Sequence, residues 1–368
     1  MALSKVAAEP LSHAPTISTL TLSEYPTDSI RDSWLDCLAH ATLPCHFGSP
    51  AFFLEPYFRS KQPFAILAIS GDRVLAALTG LHEPEEVRSG LTTRVQLVTD
   101  SRFDSVDVCT VLIRAFLSKS SGSPLAAIYD WGQPPLSHPN FQTAATALGL
   151  RMKQFPGVPV LDLSLGPDAL LMQMKEKRRY NIRLGIKAGV QVAEATTFSE
   201  FETFCEISES WSKEMGVSPF PREMEHEAFE QTRGNRLLLI ARDPATGKIM
   251  AGSVYRFFPG GLVEYSRNVS LPEYHKLKPN ELIMWRAIEW ACKNGFSKFS
   301  MGANHRFLRQ FGGPTEPINR YRLDRTFLRR HDRKENIVEL GGMWVRKMPP
   351  AWEARIRKVV GKELKPGW

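Results

Sequence analysis

Lys175-Glu-Lys-Arg-Arg-Tyr-Asn-Ile-Arg-Leu-Gly-Ile-Lys-Ala-Gly-Val190 opens the second half of the chain, and Lys278-Pro-Asn-Glu-Leu-Ile-Met-Trp-Arg-Ala-Ile-Glu-Trp290 lies near its end. In the first stretch Lys175, Arg179, Arg183 and Lys187 recur every four residues, so a helix carries them as one slowly drifting cationic stripe. The neighbouring row is Leu170, Met174, Arg178, Ile182 and Ile186, which should face a core. A guanidinium in that row has to be paired or face a cavity, because an unpaired buried charge is very costly. Between the two stretches, strands are expected at Arg236–Ala241, Lys248–Phe257 and Leu262–Arg267, joined by Asp243-Pro-Ala-Thr-Gly247 and Pro259-Gly-Gly261. The second stretch predicts a helix over Asn280–Lys293. Pro279 cannot continue a helix from upstream, and Asn280 reads as its cap. Leu282, Ile283, Met284, Ala287, Ile288 and Ala291 give it a wide apolar face. A strand at Lys298–Met301 and the turn Phe311-Gly-Gly313 close the unit. An almost all-apolar helix beside a meander calls for an α/β layer.

Working outward, the first half repeats this order. A helix is expected over Asp28–Ala41, a hairpin at Phe64–Ile69 and Arg73–Leu81 around Gly71, a strand at Thr93–Val98, a helix at Ser105–Leu117 and a strand at Leu125–Tyr129 that ends in Asp130-Trp131-Gly132. Phe201–Met215 is the helical counterpart in the second half, and Trp34 and Trp211 hold similar places. The pattern predicts a tandem duplication. The expected division is 1–19 disordered, 20–165 first lobe, 166–327 second lobe and 328–368 basic tail, in an α/β (α+β) fold. Each lobe should hold a mixed, mostly antiparallel sheet flanked by helices.

A chain of 368 residues with 43% hydrophobic and 23% charged content is that of an ordinary globular protein. No window approaches the ~18 apolar residues of a membrane span, and the start shows no signal peptide. Five scattered cysteines without a Cys-x-x-Cys pair suit reduced thiols and give neither a disulfide framework nor a zinc site. The net charge of +8 is concentrated at the end: Arg320–Trp368 holds 14 basic and 6 acidic residues, which leaves 33 against 33 in residues 1–319. Within that tail, Ala351–Val360 places Trp352, Ile356, Val359 and Val360 on one helical face and Arg355, Arg357 and Lys358 around the other. Such a helix is expected to touch an anionic membrane or a partner.

Lys177-Arg-Arg-x-Asn-Ile-Arg183 with Lys187-Ala-Gly-Val, Leu277-x-Pro-Asn280 entering a Trp-containing helix, and Phe311-Gly-Gly313 together resemble the second lobe of FemAB-like proteins of the GNAT (acyl-CoA N-acyltransferase) superfamily. Related acetyltransferase domains, CelD-like ones among them, occur with bacterial envelope polysaccharide functions. The resemblance covers about Met172–Gly313; the first half resembles the family by element order. It implies two GNAT-like lobes sharing a cleft and an amine or hydroxyl attacking a thioester or aminoacyl ester. It implies acyl-CoA (acetyl-CoA) as co-substrate and no metal. Acyl transfer needs a group that takes the acceptor's proton and donors for the oxyanion. The chain lacks the Gln/Arg-x-x-Gly-x-Gly loop with which most GNAT enzymes cradle the pyrophosphate. Ser300 stands where many relatives have Asp, and Leu308 where many have Lys.

The resemblance and the strand positions name the candidates. Glu264, Tyr265 and His305 are the expected catalytic residues; Lys177, Arg178, Arg183, Arg267 and Asn280 are the expected substrate-binding residues. Arg178 and Arg183 are expected to hold an acceptor phosphate or carboxylate, each contributing ~1.5–3 kcal/mol. Tyr274 and His275, in the loop before the second helix, and Asp130 and Trp131 in the first lobe are further candidates. The expected function is a cytoplasmic bacterial N-acyltransferase acting on an amine of a sugar-nucleotide or polar metabolite, in envelope polysaccharide synthesis. The alternatives are an aminoacyl transferase using charged tRNA, as in peptidoglycan-bridge synthesis, and a binding protein that retains the fold.

Overall fold

The computed structural model describes residues 16–346. The amphipathic segment Ala351–Val360 therefore lies outside the described residues. In the first half the elements are β1 (Ser18–Leu22), α1 (Asp28–Ala39), β2 (Pro63–Ser70), β3 (Arg73–His82), β4 (Glu86–Ser89), β5 (Leu97–Thr99), α2 (Val106–Lys119), β6 (Leu125–Trp131), α3 (Pro139–Ala147) and β7 (Arg151–Asp162). The second half runs α4 (Gly166–Gln173), α5 (Glu176–Lys187), β8 (Gln191–Glu194), α6 (Phe198–Met215), α7 (Arg222–Gln231), β9 (Arg236–Arg242), β10 (Ile249–Phe257), β11 (Leu262–Ser270), α8 (Pro279–Lys293), β12 (Lys298–Ser300), α9 (Arg306–Arg309), β13 (Thr315–Asp324) and α10 (Arg330–Arg346).

Local chemistry sets the element ends. Ser105 caps α2 by accepting from the Val108 amide at 3.3 Å. Thr197 and Glu200 form a reciprocal capping box at the start of α6, and Gly216 ends that helix with a positive φ of 66°. Lys278 precedes α8 with a left-handed φ of 57°, and Pro279 is its first residue. Asn280 therefore lies inside the helix, not at its cap; its side-chain amide donates to Ser270 Oγ at 2.9 Å.

The thirteen strands among the described residues join one sheet in the order β1-β2-β3-β4-β6-β13-β7-β12-β11-β10-β9-β8, with β5 on β3. Most neighbours are antiparallel. The exceptions are β4 with β6 and β11 with β12, which run parallel, one such pair in each half. The halves exchange their last strands. β13, from the second half, pairs with β6 of the first over Ile318–Asp324. β7, from the first, pairs with β12 of the second. The two exchanged strands then pair with each other. β7 straddles both cores: Val158 and Val160 belong to the first-half core with Ile318 and Tyr321 of β13, and Leu161 belongs to the core under α8.

Three expectations change. The strand expected at Thr93–Val98 is split in its role: Leu97–Thr99 pairs with β3, and the parallel partner of β6 is the shorter Glu86–Ser89. Ser18 and Thr19 belong to β1, not to a disordered terminus. The tail from residue 328 begins as structure: α10 is docked on the exchanged strands by Asp332, Glu335 and Glu339, which pair with Arg322, Arg320 and Lys153.

The β7–β13 ladder turns on Gly157. Two β7 residues, Pro156 and Gly157, face the single Pro317 between the pairs Ile318–Phe155 and Glu316–Val158, so β7 carries a bulge. Gly157 has φ +69°, and a Cβ there would lie 1.7 Å from the Glu316 carbonyl oxygen. Gly157→Ala should destabilise the protein by at least about 2 kcal/mol, from left-handed strain plus the clash. Thermal unfolding checks this, and a parent-like melting temperature would contradict the bulge.

Candidate active site at the β11–β12 gap

β11 and β12 pair only over Leu262–Glu264 against Lys298–Ser300. Beyond Glu264, β11 runs on to Ser270 while the chain after β12 turns away at Gly302, whose φ is +65°. A Cβ at Gly302 would lie 2.3 Å from the Tyr265 carbonyl oxygen, so only glycine lets this turn close on β11. The edge of β11 from Tyr265 onward thus has no strand partner on this side among the described residues. At the same place β11 bulges: Val254 faces Arg267 and Tyr255 faces Tyr265, which leaves Ser266 as the extra residue. Ser266 is exposed, and Tyr265, Arg267 and Asn268 are half-buried, whereas the rest of β11 is buried. Solvent therefore reaches the middle of a continuous sheet at one bulge. Unpaired strand amides at a bulge are suited to hold an oxyanion.

Polar side-chain atoms without partners border this gap. Asn268 Nδ2 and Oδ1, Asn280 Oδ1 and Asn304 Oδ1 are all buried and unbonded. These atoms have no protein partner and can bond to water or to a ligand that enters here. Tyr265 stacks edge-on against Tyr255, with ring centroids 6.1 Å apart. Burial pushes its phenol well above the ordinary range, while Arg267 and the Asn268 amide pull the other way. His275 and Asn280 both meet Ser270 Oγ, at 3.1 and 2.9 Å. Two surface clefts lie elsewhere, about 400 Å³ beside Glu200 and Arg242 and about 360 Å³ beside α10. The gap is thus defined by strand pairing, not by volume.

On the other face of β11 the halves meet through buried charge. Arg94, from the first half, donates to Glu264 Oε1 at 3.3 Å and stacks 3.5 Å above the Phe47 ring. Glu264 Oε2 is buried without a partner. Burial raises the Glu264 carboxyl above the usual range, against the pull of Arg94. Arg256, opposite Glu264 on β10, binds Glu55 of the first half through both carboxylate oxygens, and His46 meets the same carboxylate at 2.8 Å. Burial disfavours the Glu55 charge, but Arg256 and His46 outweigh it and hold the carboxyl far below the usual range. Burial also lowers the His46 pKa, which keeps the imidazole neutral.

The candidates named from sequence fall into three groups. Tyr265 and Glu264 are at the gap but point to opposite faces of β11, Tyr265 towards the core under α8 and Glu264 towards Arg94. His305 is exposed just after the turn at Gly302, its pKa lowered by burial and by Arg309. Arg178 and Arg267 are committed to internal pairs. Arg178 donates to Glu281 Oε1 and Gln310 Oε1, both at 2.7 Å, and lies over the Phe307 and Phe311 rings. Arg267 grips Glu225 of α7 at 2.6 and 2.9 Å, and Tyr57 of the first half bonds the same carboxylate. Lys177 and Arg183 stand exposed on α5. Asp130 and Trp131 are buried, and Asp130 accepts from His138 and Gln142. Sequence reasoning missed Arg94, Glu55, His46 and Glu225. His46 and Glu55 stand among apolar neighbours in the sequence, Arg94 and Glu225 do not, and the partners that tie Glu55, Arg94 and Glu225 to the other half are Arg256, Glu264 and Tyr57. Asp36, His40 and Asp100 could offer a cation three ligand atoms, but Arg102 already binds both carboxylates.

Residues 173–310 match the family described as acetyltransferase (GNAT) domain. No curated protein matches the chain. Among solved structures, FemX is similar over 82% of this chain and 96% of its own, at 11% identity and a TM-score of 0.62. L-PGS from Bacillus licheniformis is similar over 88% and 98%, at 11% identity and 0.55. A tandem GNAT protein from the clavulanic acid biosynthesis pathway is similar over 85% and 99%, at 15% identity and 0.52. At these identities the structural likeness shows the fold alone, a FemAB-like tandem GNAT fold, and the match to the acetyltransferase domain lies within the second half.

The pairing of α5 makes opposite demands on neighbouring cations. Arg178→Ala leaves the half-buried Glu281 with only the Asn181 amide as partner and empties the space over the Phe307 and Phe311 rings, and should lower stability by about 3 kcal/mol. Lys177→Ala and Arg183→Ala should leave the unfolding midpoint within about 0.5 kcal/mol of the parent. Denaturant unfolding of the three variants separates the cases; equal midpoints would mean that the Arg178 pair carries no stability.

Proposed function

We propose that the chain transfers an acyl group from acyl-coenzyme A to an amine of a phosphate- or carboxylate-bearing polar metabolite, at the β11–β12 gap. The observation that carries this reading is the solvent-open bulge at Ser266, set in the matched domain beside the parallel strand pair of the second half. In this reading the unpartnered β11 edge offers amides to the donor's amide-rich arm and to the carbonyl oxygen that becomes negative. Glu264 takes the proton of the attacking amine; its raised pKa brings it nearer to neutral pH, where a general base is efficient. Tyr265, kept protonated by burial, gives a proton to the departing group. Lys177 and Arg183 remain available for the acceptor's anionic group, whereas Arg178 and Arg267 serve by fixing α5 and α7.

A second reading, an aminoacyl ester carried on tRNA as donor, is favoured by one feature of α8. Pro279 removes an amide at its start, and Glu281 puts a carboxylate in its first turn, bonded to Arg178 and Asn181. A pyrophosphate at that helix end would meet negative charge. Donor phosphates would then rest on side chains such as those exposed along α5.

Titration calorimetry with acetyl-coenzyme A, and with tRNA at several salt concentrations, decides between the donors. Saturable acetyl-coenzyme A binding with weak, salt-quenched tRNA binding is expected; the reverse would reject the first reading.

The pH profile tests the base. Glu264 has to be ionised to act, and its pKa is raised, so kcat/KM should climb with pH through a limb above the ordinary carboxylate range. Glu264→Gln should remove that limb and lower kcat by about 10²- to 10⁴-fold. Tyr265→Phe should lower kcat while keeping the limb. A Glu264→Gln enzyme with the parent profile would assign the proton elsewhere, with His305 the next candidate.

A further inference from the structure

We propose that α10, with the Phe327-Leu328 turn before it, is a docking element that lays its outward face on an anionic lipid surface. The helix is held to the body by its acids. Glu335 pairs with Arg320 at 2.6 Å, with Arg322 at 2.8 Å and with Lys153 at 3.0 Å; Glu339 pairs with Lys153 at 2.7 Å; Asp332 pairs with Arg322. At about 100° per residue these three carboxylates share one side of the helix. Burial disfavours the Glu335 charge, but the bonds from Arg320 and Lys153 outweigh it and hold the carboxyl down at about 2, so the clamp persists at neutral pH.

That clamp fixes what faces away. Ile337 is 68% exposed, Val338 50% and Leu340 53%, and Phe327 and Leu328 in the turn are 86% and 55% exposed. A helix normally buries its apolar stripe against the core; here the acids take the inner side and the apolar residues the outer. Cations share that outer surface. Arg329, Arg330, Arg333 and Lys334 are exposed, and among the described residues none of them is in a salt bridge. Leu328 and Arg329 both hold a left-handed φ, 52° and 51°, which projects the turn from the end of β13.

The chemistry of this face selects its occupant. Apolar and basic side chains are interleaved on one surface, so the apolar groups can enter the acyl boundary while the long cationic chains reach to headgroups. No helix among the described residues is long and apolar enough to cross a membrane, so the contact would be peripheral.

The test is co-sedimentation of the full-length chain with phosphatidylcholine vesicles, with and without phosphatidylglycerol. Binding should require phosphatidylglycerol and weaken as salt rises. Arg333→Gln with Lys334→Gln should lower partitioning about thirtyfold, from about 1 kcal/mol per cation near an anionic surface. Ile337→Ser with Leu340→Ser should weaken binding at high salt as well as low. All four positions are exposed, so thermal unfolding should match the parent. Three outcomes overturn the proposal: no preference for anionic vesicles; binding that both double variants retain, which puts the contact outside α10; or a parent dimer that Ile337→Ser with Leu340→Ser converts to monomer without vesicle binding, which makes a second copy the occupant.

Discussion

The exchange of β7 and β13 is the constraint on which the rest of the molecule depends. Each strand must find hydrogen-bond partners on both edges or expose them to water. Here β13 completes the ladder of β6, and β7 completes that of β12, so neither half has a finished sheet without the other. The halves cannot hinge apart without breaking ladders and splitting the core that Ile318 and Tyr321 share with Val158 and Val160. A fixed junction is what a gap between two parallel strands needs if its width is to be set by the backbone. Folding bears the matching burden, because β6 waits for residues near 320, and such long-range pairing is slow to form.

The second consequence is electrostatic. The junction buries His46, Glu55, Arg256 and Glu264. Burying charges is expensive, and an apolar substitute would often be as stable. What the pairs contribute is orientation: Glu55 with Arg256, Arg94 with Glu264 and Glu225 with Arg267 and Tyr57 each link one half to the other at a defined place. A slip of one residue along β11 would turn Glu264 towards the apolar core under α8 and Tyr265 towards Arg94.

Much of this is legible in the sequence where the signal is local. Helix α8, the β2–β3 and β9–β10 hairpins and the run of β11 follow from periodicity and turn residues. The exchanged strands do not. β7 reads Arg-Met-Lys-Gln-Phe-Pro-Gly-Val-Pro-Val-Leu-Asp, and prolines argue against a central strand. They are tolerated because Pro156 falls at the bulge, while the Pro159 carbonyl accepts from the Met301 amide at 3.0 Å. β4 escapes a sequence reading because Glu86-Val-Arg-Ser89 carries two charges, although Val87 and Ser89 are fully buried. At the site, Leu170, Met174, Arg178 and Ile182 face inward as their spacing requires, Ile186 at the end of the row is exposed, and the Arg178 guanidinium does need a partner. The partners, Glu281 and Gln310, lie more than a hundred residues away in sequence, and nothing local announces them. The expected phosphate-binding role for Arg178 gives way for that reason. The bulge at Ser266 has no composition signal, since it is a property of pairing.

The exchange also explains the odd orientation of α10. Pairing β13 with β7 sets Arg320 opposite Lys153 and Arg322 opposite Arg151. Like charges directly opposite across an antiparallel pair repel, so this register stands only if acids arrive from outside the sheet. Asp332, Glu335 and Glu339 supply them, and a helix that gives its inner side to carboxylates has no room there for an apolar stripe. Ile337 and Leu340 face water because Arg320 and Arg322 face the helix. Topology fixes register, register fixes the charge pattern, and the charge pattern decides which side of α10 the protein presents to its surroundings.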